Sequence, residues 1–145
     1  MQELKVLLVD DEEEFVTTLA ERLSLRGMVT RIATDGEQAL RAVEADPPHV
    51  VVLDLMMPGI KGTEALRRIK AGHPAVQVIL LTGHGSARDG IEGMKLGAFD
   101  YLMKPLRLED LLEKLHEAGR LAHAAQGNGG NGDNGGSGSG GNGDA

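Results

Sequence analysis

Four near-continuous aliphatic runs and a weaker fifth, each separated from the next by an amphipathic stretch, constrain this chain more than any other feature. They occupy residues 4–9, 50–53, 76–81 and 99–103, with the weaker one at 29–33. A strand with one face in water alternates apolar and polar residues. A run without polar interruption reads instead as a strand buried on both faces, the pattern of a parallel sheet. The intervening stretches carry helical stripes: Phe15, Leu19 and Leu23; Ala39, Leu40 and Val43; Ala65, Leu66 and Ile69; and Leu108, Leu111, Leu112 and Leu115. Asp35 with Gln38 three residues on resembles a capping box opening the second stripe. Strict β-α alternation predicts an α/β fold, a doubly wound five-stranded parallel sheet with five helices in a three-layer sandwich. The hairpin signals that a ferredoxin-like or all-β fold would need are absent.

The core must be aliphatic, because aromatic residues are only 2% of the 145. No apolar run approaches the roughly 18–20 residues of a membrane span, and the first residues have no basic segment leading into an apolar one. Cysteine is absent, which excludes disulfides and thiolate metal sites. These features predict a cytoplasmic protein with no membrane association. Its net charge of −7 and its poverty in stacking rings argue against direct nucleic-acid binding. Composition changes abruptly at Gln126, after which the chain is almost entirely Gly, Asn, Ser and Asp. Such a segment cannot bury enough apolar surface to offset its ordering entropy. The expected organisation is therefore one domain over 1–125 and a flexible tail over 126–145.

Each apolar run ends in a polar or reactive residue: Asp10 and Asp11, Asp54, Thr82, and Lys104 followed by Pro105. In an open parallel sheet, sites gather outside the carboxyl ends of the strands, so these scattered residues should meet on one rim. Taken singly, each has a bland reading. Asp10-Asp11 would cap the next helix, Asp54 would leave a strand through a turn, and Thr82 and Lys104 would be a turn hydroxyl and a surface charge. That all four positions are bland independently is much harder to accept. Together they form a chemical set. Three carboxylates are a hard-oxygen site suited to Mg²⁺, with Mn²⁺ also fitting. A carboxylate can attack phosphorus to give an acyl phosphate. A cation between the acids, with Lys104 and a Thr82 hydrogen bond, would offset the charge of the phosphoryl oxygens. Pro105 is compatible with a cis bond that aims the lysine inward.

The same residues resemble the receiver domains of two-component response regulators over roughly residues 4–118. The resemblance rests on Val9-Asp10-Asp11-Glu12, on Asp54-Leu55-Met56-Met57-Pro58 with Gly62 beyond, on Leu81-Thr82-Gly83, and on Tyr101-Leu102-Met103-Lys104-Pro105. It implies a flavodoxin-like sheet of order 2-1-3-4-5. It implies Asp54 as phosphoacceptor, charged by a sensor histidine kinase, a histidine phosphotransfer protein or a small phosphodonor. Asp10, Asp11, Asp54 and the Met56 backbone carbonyl would bind Mg²⁺. Thr82 and Tyr101 would be the switch pair, Lys104 a phosphate contact, and Met56 and His84 positions that tune dephosphorylation. The fourth helix, fifth strand and fifth helix would form the surface that controls a downstream protein effector, and the resemblance allows a phosphorylation-dependent homodimer.

The chain departs from the winged-helix regulators at Phe99-Asp100-Tyr101 and Leu106, and is closer there to stand-alone receivers and those beside sigma-54 activator modules. Gly90 and Gly93 stand where the fourth helix commonly carries Ala, which implies either a soft helix or close packing. A haloacid-dehalogenase-type phosphohydrolase would place its nucleophile in an Asp-x-Asp pair after the first strand and an acidic pair after its lysine. Here Asp54 follows the third run, and Glu109-Asp110 fall within the last helical stripe. A flavin module would need a Gly- or Ser-rich phosphate loop where the chain has residues 10–14, all acidic. An interaction module with an inactive site is the remaining alternative. The expected protein is not an enzyme acting on an independent substrate, though it would catalyse its own phosphorylation and slow dephosphorylation.

Overall fold

The alternation of runs and stripes becomes ten elements in β-α order in the computed structural model, which describes residues 3–83 and 87–131, with side chains to Ala125. They are β1 (Lys5–Val9), α1 (Glu13–Ser24), β2 (Val29–Ala33), α2 (Gly36–Ala45), β3 (Val50–Asp54), α3 (Gly62–Gly72), β4 (Gln77–Thr82), α4 (Ala87–Lys95), β5 (Asp100–Met103) and α5 (Leu108–Asn131). All pairings are parallel and the strand order is 2-1-3-4-5, with Val9 beside both Ala33 and Leu53, and Asp54 beside Leu81. The fold is the flavodoxin-like doubly wound sandwich that the sequence predicts.

Each central strand is buried on both sides because consecutive side chains point to opposite faces. Leu7, Val9, Val51, Leu53, Val78 and Leu80 pack with Ala39 and Val43 of α2 and Ala65, Leu66 and Ile69 of α3. Val6, Leu8, Val50, Val52, Ile79 and Leu81 pack on the other face with Val16, Leu19 and Leu23 of α1 and Leu111, Leu115 and Ala118 of α5. Burying each of the larger side chains contributes about 1.5–3 kcal/mol. The edge strands β2 and β5 are only partly covered, which accounts for the weaker signal at 29–33.

The N-cap of α2 forms as expected, with Asp35 Oδ1 accepting from Gln38 N at 2.8 Å. The reciprocal arm differs: Gln38 Oε1 accepts from the amide of Thr34, one residue before the cap, at 2.9 Å. The α4 glycines have a packing reason. A Cβ on Gly90 would come within 3.0 Å of the Tyr101 ring, and one on Gly93 within 3.0 Å of Leu80. At the other end of the chain, α5 continues to Asn131 and so enters the Gly/Asn-rich segment that begins at Gln126. Among the described residues, no helix is long and apolar enough to cross a membrane.

Candidate functional site at the carboxyl edge of the sheet

Because the strands are parallel, their carboxyl ends share one edge. The chain leaves β1 for β2 on one side and returns as β3 on the other, opening a crevice between β1 and β3 at that edge. Asp10 and Asp54 stand at this crevice, one directly after β1 and the other ending β3. Backbone bonds fix both. The Asp10 amide donates to Ala33 O at 3.1 Å, and the amide after Asp54, that of Leu55, donates to Leu81 O at 3.0 Å. Each carboxylate also accepts from an amide two residues on, Asp10 Oδ1 from Glu12 N at 2.9 Å and Asp54 Oδ1 from Met56 N at 3.0 Å. These short local bonds hold the acids in one orientation.

Asp10 and Asp54 are buried, with 1% and 2% exposure, whereas Asp11 is exposed. One oxygen from each of the three lies within 4.8 Å of the others. Burial raises the Asp54 pKa above its ordinary value, and the charge of Asp10 pushes it further; the Met56 amide and the Lys104 charge oppose them. Buried like charges in one crevice attract a compensating cation, and three hard oxygens suit Mg²⁺ or Mn²⁺ better than a soft metal.

Lys104 reaches the crevice from the end of β5, where its amide donates to Thr82 O at 2.9 Å. The Lys104–Pro105 peptide is cis. Its Nζ lies 2.8 Å from Glu12 Oε1, 2.9 Å from Asp10 Oδ2 and 3.6 Å from Asp54 Oδ2. The Phe15 ring lies beside it, with its centroid 4.7 Å from Nζ. Burial pulls the ammonium's pKa down, but the bonds to Glu12 and Asp10 and the charge of Asp54 outweigh it and hold the value above normal. The hydrogen bond and charge of Lys104 in turn lower the pKa of Glu12.

Thr82 is fully buried at the end of β4, and its hydroxyl has no hydrogen-bond partner among the described residues. Tyr101 is half-buried, packed against the core beside Gly90 of α4. The Met56 side chain is exposed directly after the Asp54–Leu55 turn. His84 lies outside the described residues. Glu109 and Asp110, the pair a dehalogenase-like reading would use, sit exposed on the first turn of α5. No local sequence signal singles out Glu12 or Phe15 for the site: Glu12 stands out only as the third acid of its motif, and Phe15 only as part of a core stripe.

The model of the response regulator receiver domain matches residues 6–116. The chain is 39% identical over 119 residues to the transcriptional regulatory protein CpxR of Klebsiella pneumoniae, covering 82% of this chain and 50% of CpxR. It is 36% identical over 112 residues to the response regulator MprA of Mycolicibacterium vanbaalenii, covering 77% and 48%. This chain thus spans about half the length of those regulators. Among solved structures it resembles the receiver domain of NtrX from Brucella abortus, with a TM-score of 0.76 and 32% identity over 79% of this chain and 98% of that one. With three motif carboxylates and Lys104 gathered at the β1/β3 crevice and the family model spanning the sheet, the chain belongs to the receiver-domain family of two-component response regulators.

Proposed function

We propose that this chain is a phosphorylation-activated switch whose phosphoacceptor is Asp54. One observation carries the reading: the buried Asp54 carboxylate shares its crevice with two further carboxylates and has an ammonium 3.6 Å away. An Asp54 oxygen attacks the phosphorus of a phosphohistidine or of acetyl phosphate. The donor's P–N or P–O bond breaks, and its electron pair leaves with the donor. Asp10, Asp11, Asp54 and the Met56 carbonyl are the groups that would hold Mg²⁺ or Mn²⁺. The bound cation would supply the positive charge that lets one anion approach another. Lys104 and the Thr82 hydroxyl serve two of the phosphoryl oxygens.

Tyr101 completes the switch with Thr82, its ring position coupled to α4 through Gly90. Met56 and His84 tune the lifetime of the acyl phosphate, and Pro105 shapes the loop after Lys104. The phosphoryl group comes from a sensor histidine kinase or a histidine phosphotransfer protein. Phosphorylation then biases the surface of α4, β5 and α5 toward a downstream protein effector or a second copy of the chain. An acidic chain spanning half the length of a transcriptional regulator is not itself the part that meets DNA. Turnover is confined to the chain's own acyl phosphate.

The test is intact mass after incubation with acetyl phosphate and Mg²⁺, on wild type and Asp54→Asn side by side. A labile gain of one phosphoryl group in wild type alone is expected. A gain in both variants would move the acceptor elsewhere. A gain in neither, with beryllofluoride also failing to bind, would leave an interaction module with an inactive site.

A further inference from the structure

We propose that Glu12 is a positioning residue for Lys104, a partner at the rim that the ammonium keeps when a cation takes Asp10 from it. The inference rests on the phosphoacceptor reading above and adds a residue to it. Glu12 holds the N-cap position of α1, and its side chain, longer than the Asp, Asn, Ser or Thr that usually cap, makes no capping bond. Instead it crosses to Lys104, 92 residues away, and makes the shortest of that ammonium's three acidic contacts, 2.8 Å against 2.9 Å to Asp10 and 3.6 Å to Asp54. The Glu12 side chain is 65% exposed, so packing does not hold it there. The ammonium does.

The arrangement has two consequences of opposite sign. A cation entering the crevice must take Asp10 from Lys104, and Glu12 is the partner the displaced lysine keeps. Without Glu12 the lysine falls back on Asp10 and Asp54, and the cation meets ligands already neutralised and a site with one negative charge fewer. Once the cation is in place, Lys104 must leave Glu12 to reach a phosphoryl oxygen, and Glu12 then opposes the reaction. Removing it therefore weakens cation binding and speeds the phosphoryl transfer that follows.

The experiment titrates Mg²⁺ into wild type, Glu12→Gln and Glu13→Gln, following amide shifts around Asp10, Asp54 and Lys104. Rate constants with acetyl phosphate are then measured at saturating Mg²⁺ for each. Glu13 is exposed on the same turn and is not among the Lys104 ion-pair partners, so it controls for lost charge alone. Glu12→Gln should raise the Mg²⁺ Kd about five-fold and raise the saturated rate constant about three-fold, with Glu13→Gln moving neither. An Mg²⁺ Kd that falls or stays put, a saturated rate constant that falls or stays put, or Glu13→Gln matching Glu12→Gln would overturn the proposal while wild type still gains its phosphoryl group. A wild type that gains none overturns the phosphoacceptor reading itself, and the role of Glu12 falls with it.

Discussion

Thr82 has a fully buried hydroxyl that bonds to nothing among the described residues. Leaving such a group dry costs about 1–3 kcal/mol. Thr82→Val keeps the shape and removes the hydroxyl, so its urea midpoint should match or exceed wild type while its phosphorylation by acetyl phosphate slows. A loss of stability above about 1 kcal/mol would mean that the hydroxyl already has a resting partner. His49 shows the reverse case, a buried ring with a purpose in the resting fold. Its Nδ1 accepts from the Lys5 amide at 2.9 Å, and its ring meets that of His123 at 4.2 Å. Burial, then His123 and Lys5, push its pKa below the ordinary 6.5, with Asp46 opposing. Well above 6.5, folded and unfolded chains are both neutral here. As pH falls past 6.5, the unfolded chain takes up a proton that the folded ring refuses, so stability declines until pH passes the lower folded value. Thermal midpoints between pH about 7.5 and about 5.5 should therefore fall more steeply for wild type than for His49→Asn. A ring titrating at or above 6.5 by NMR would contradict this.

Helix α4 is the element whose sequence says least about its packing. Its two large apolar residues, Ile91 and Met94, are exposed, and its buried positions are Gly90 and Gly93. An alanine at Gly93 should gain up to about 1 kcal/mol of helix propensity. However, its Cβ would strike the Cδ1 methyl of Leu80, which is fully buried in the core. Overpacking of this kind costs about 1–3 kcal/mol, so Gly93→Ala should destabilise on balance. The loss should shrink when Leu80 is trimmed to Ala in the same chain. Denaturant unfolding of the two singles and the double measures that coupling, and strict additivity would refute the close-packing account. The strands were more legible. β2 matches its expected bounds and the others fall within a residue of theirs, and in β1, β3 and β4 two-sided burial leaves a near-unbroken aliphatic run. A helix that meets the sheet through missing side chains leaves no such trace.

At the scale of the whole molecule, the site was legible wherever topology alone brings residues together. Parallel strands must end on one edge, so Asp10, Asp54, Thr82 and Lys104 could be gathered from a list of strand ends. Glu12 and Phe15 meet Lys104 through side-chain reach across the chain, and no local pattern records that reach. The convergence itself has a thermodynamic consequence. An unfolded chain holds Asp10 and Asp54 far apart, so a cation that needs both binds the folded state and stabilises it by RT ln(1 + [Mg²⁺]/Kd). That amounts to about 2.7 kcal/mol at a hundred-fold excess over Kd. The urea midpoint of wild type should rise steadily with the logarithm of Mg²⁺ concentration, measured against NaCl at equal ionic strength to remove general screening. Asp10→Asn removes a buried charge that Lys104 and two neighbouring acids now face, so its midpoint without metal is free to move either way. What distinguishes the variant is the slope. If the acids act as one cation site, Asp10→Asn should flatten the Mg²⁺ dependence, whereas a dependence equal to wild type would mean that the ion stabilises the fold from somewhere else.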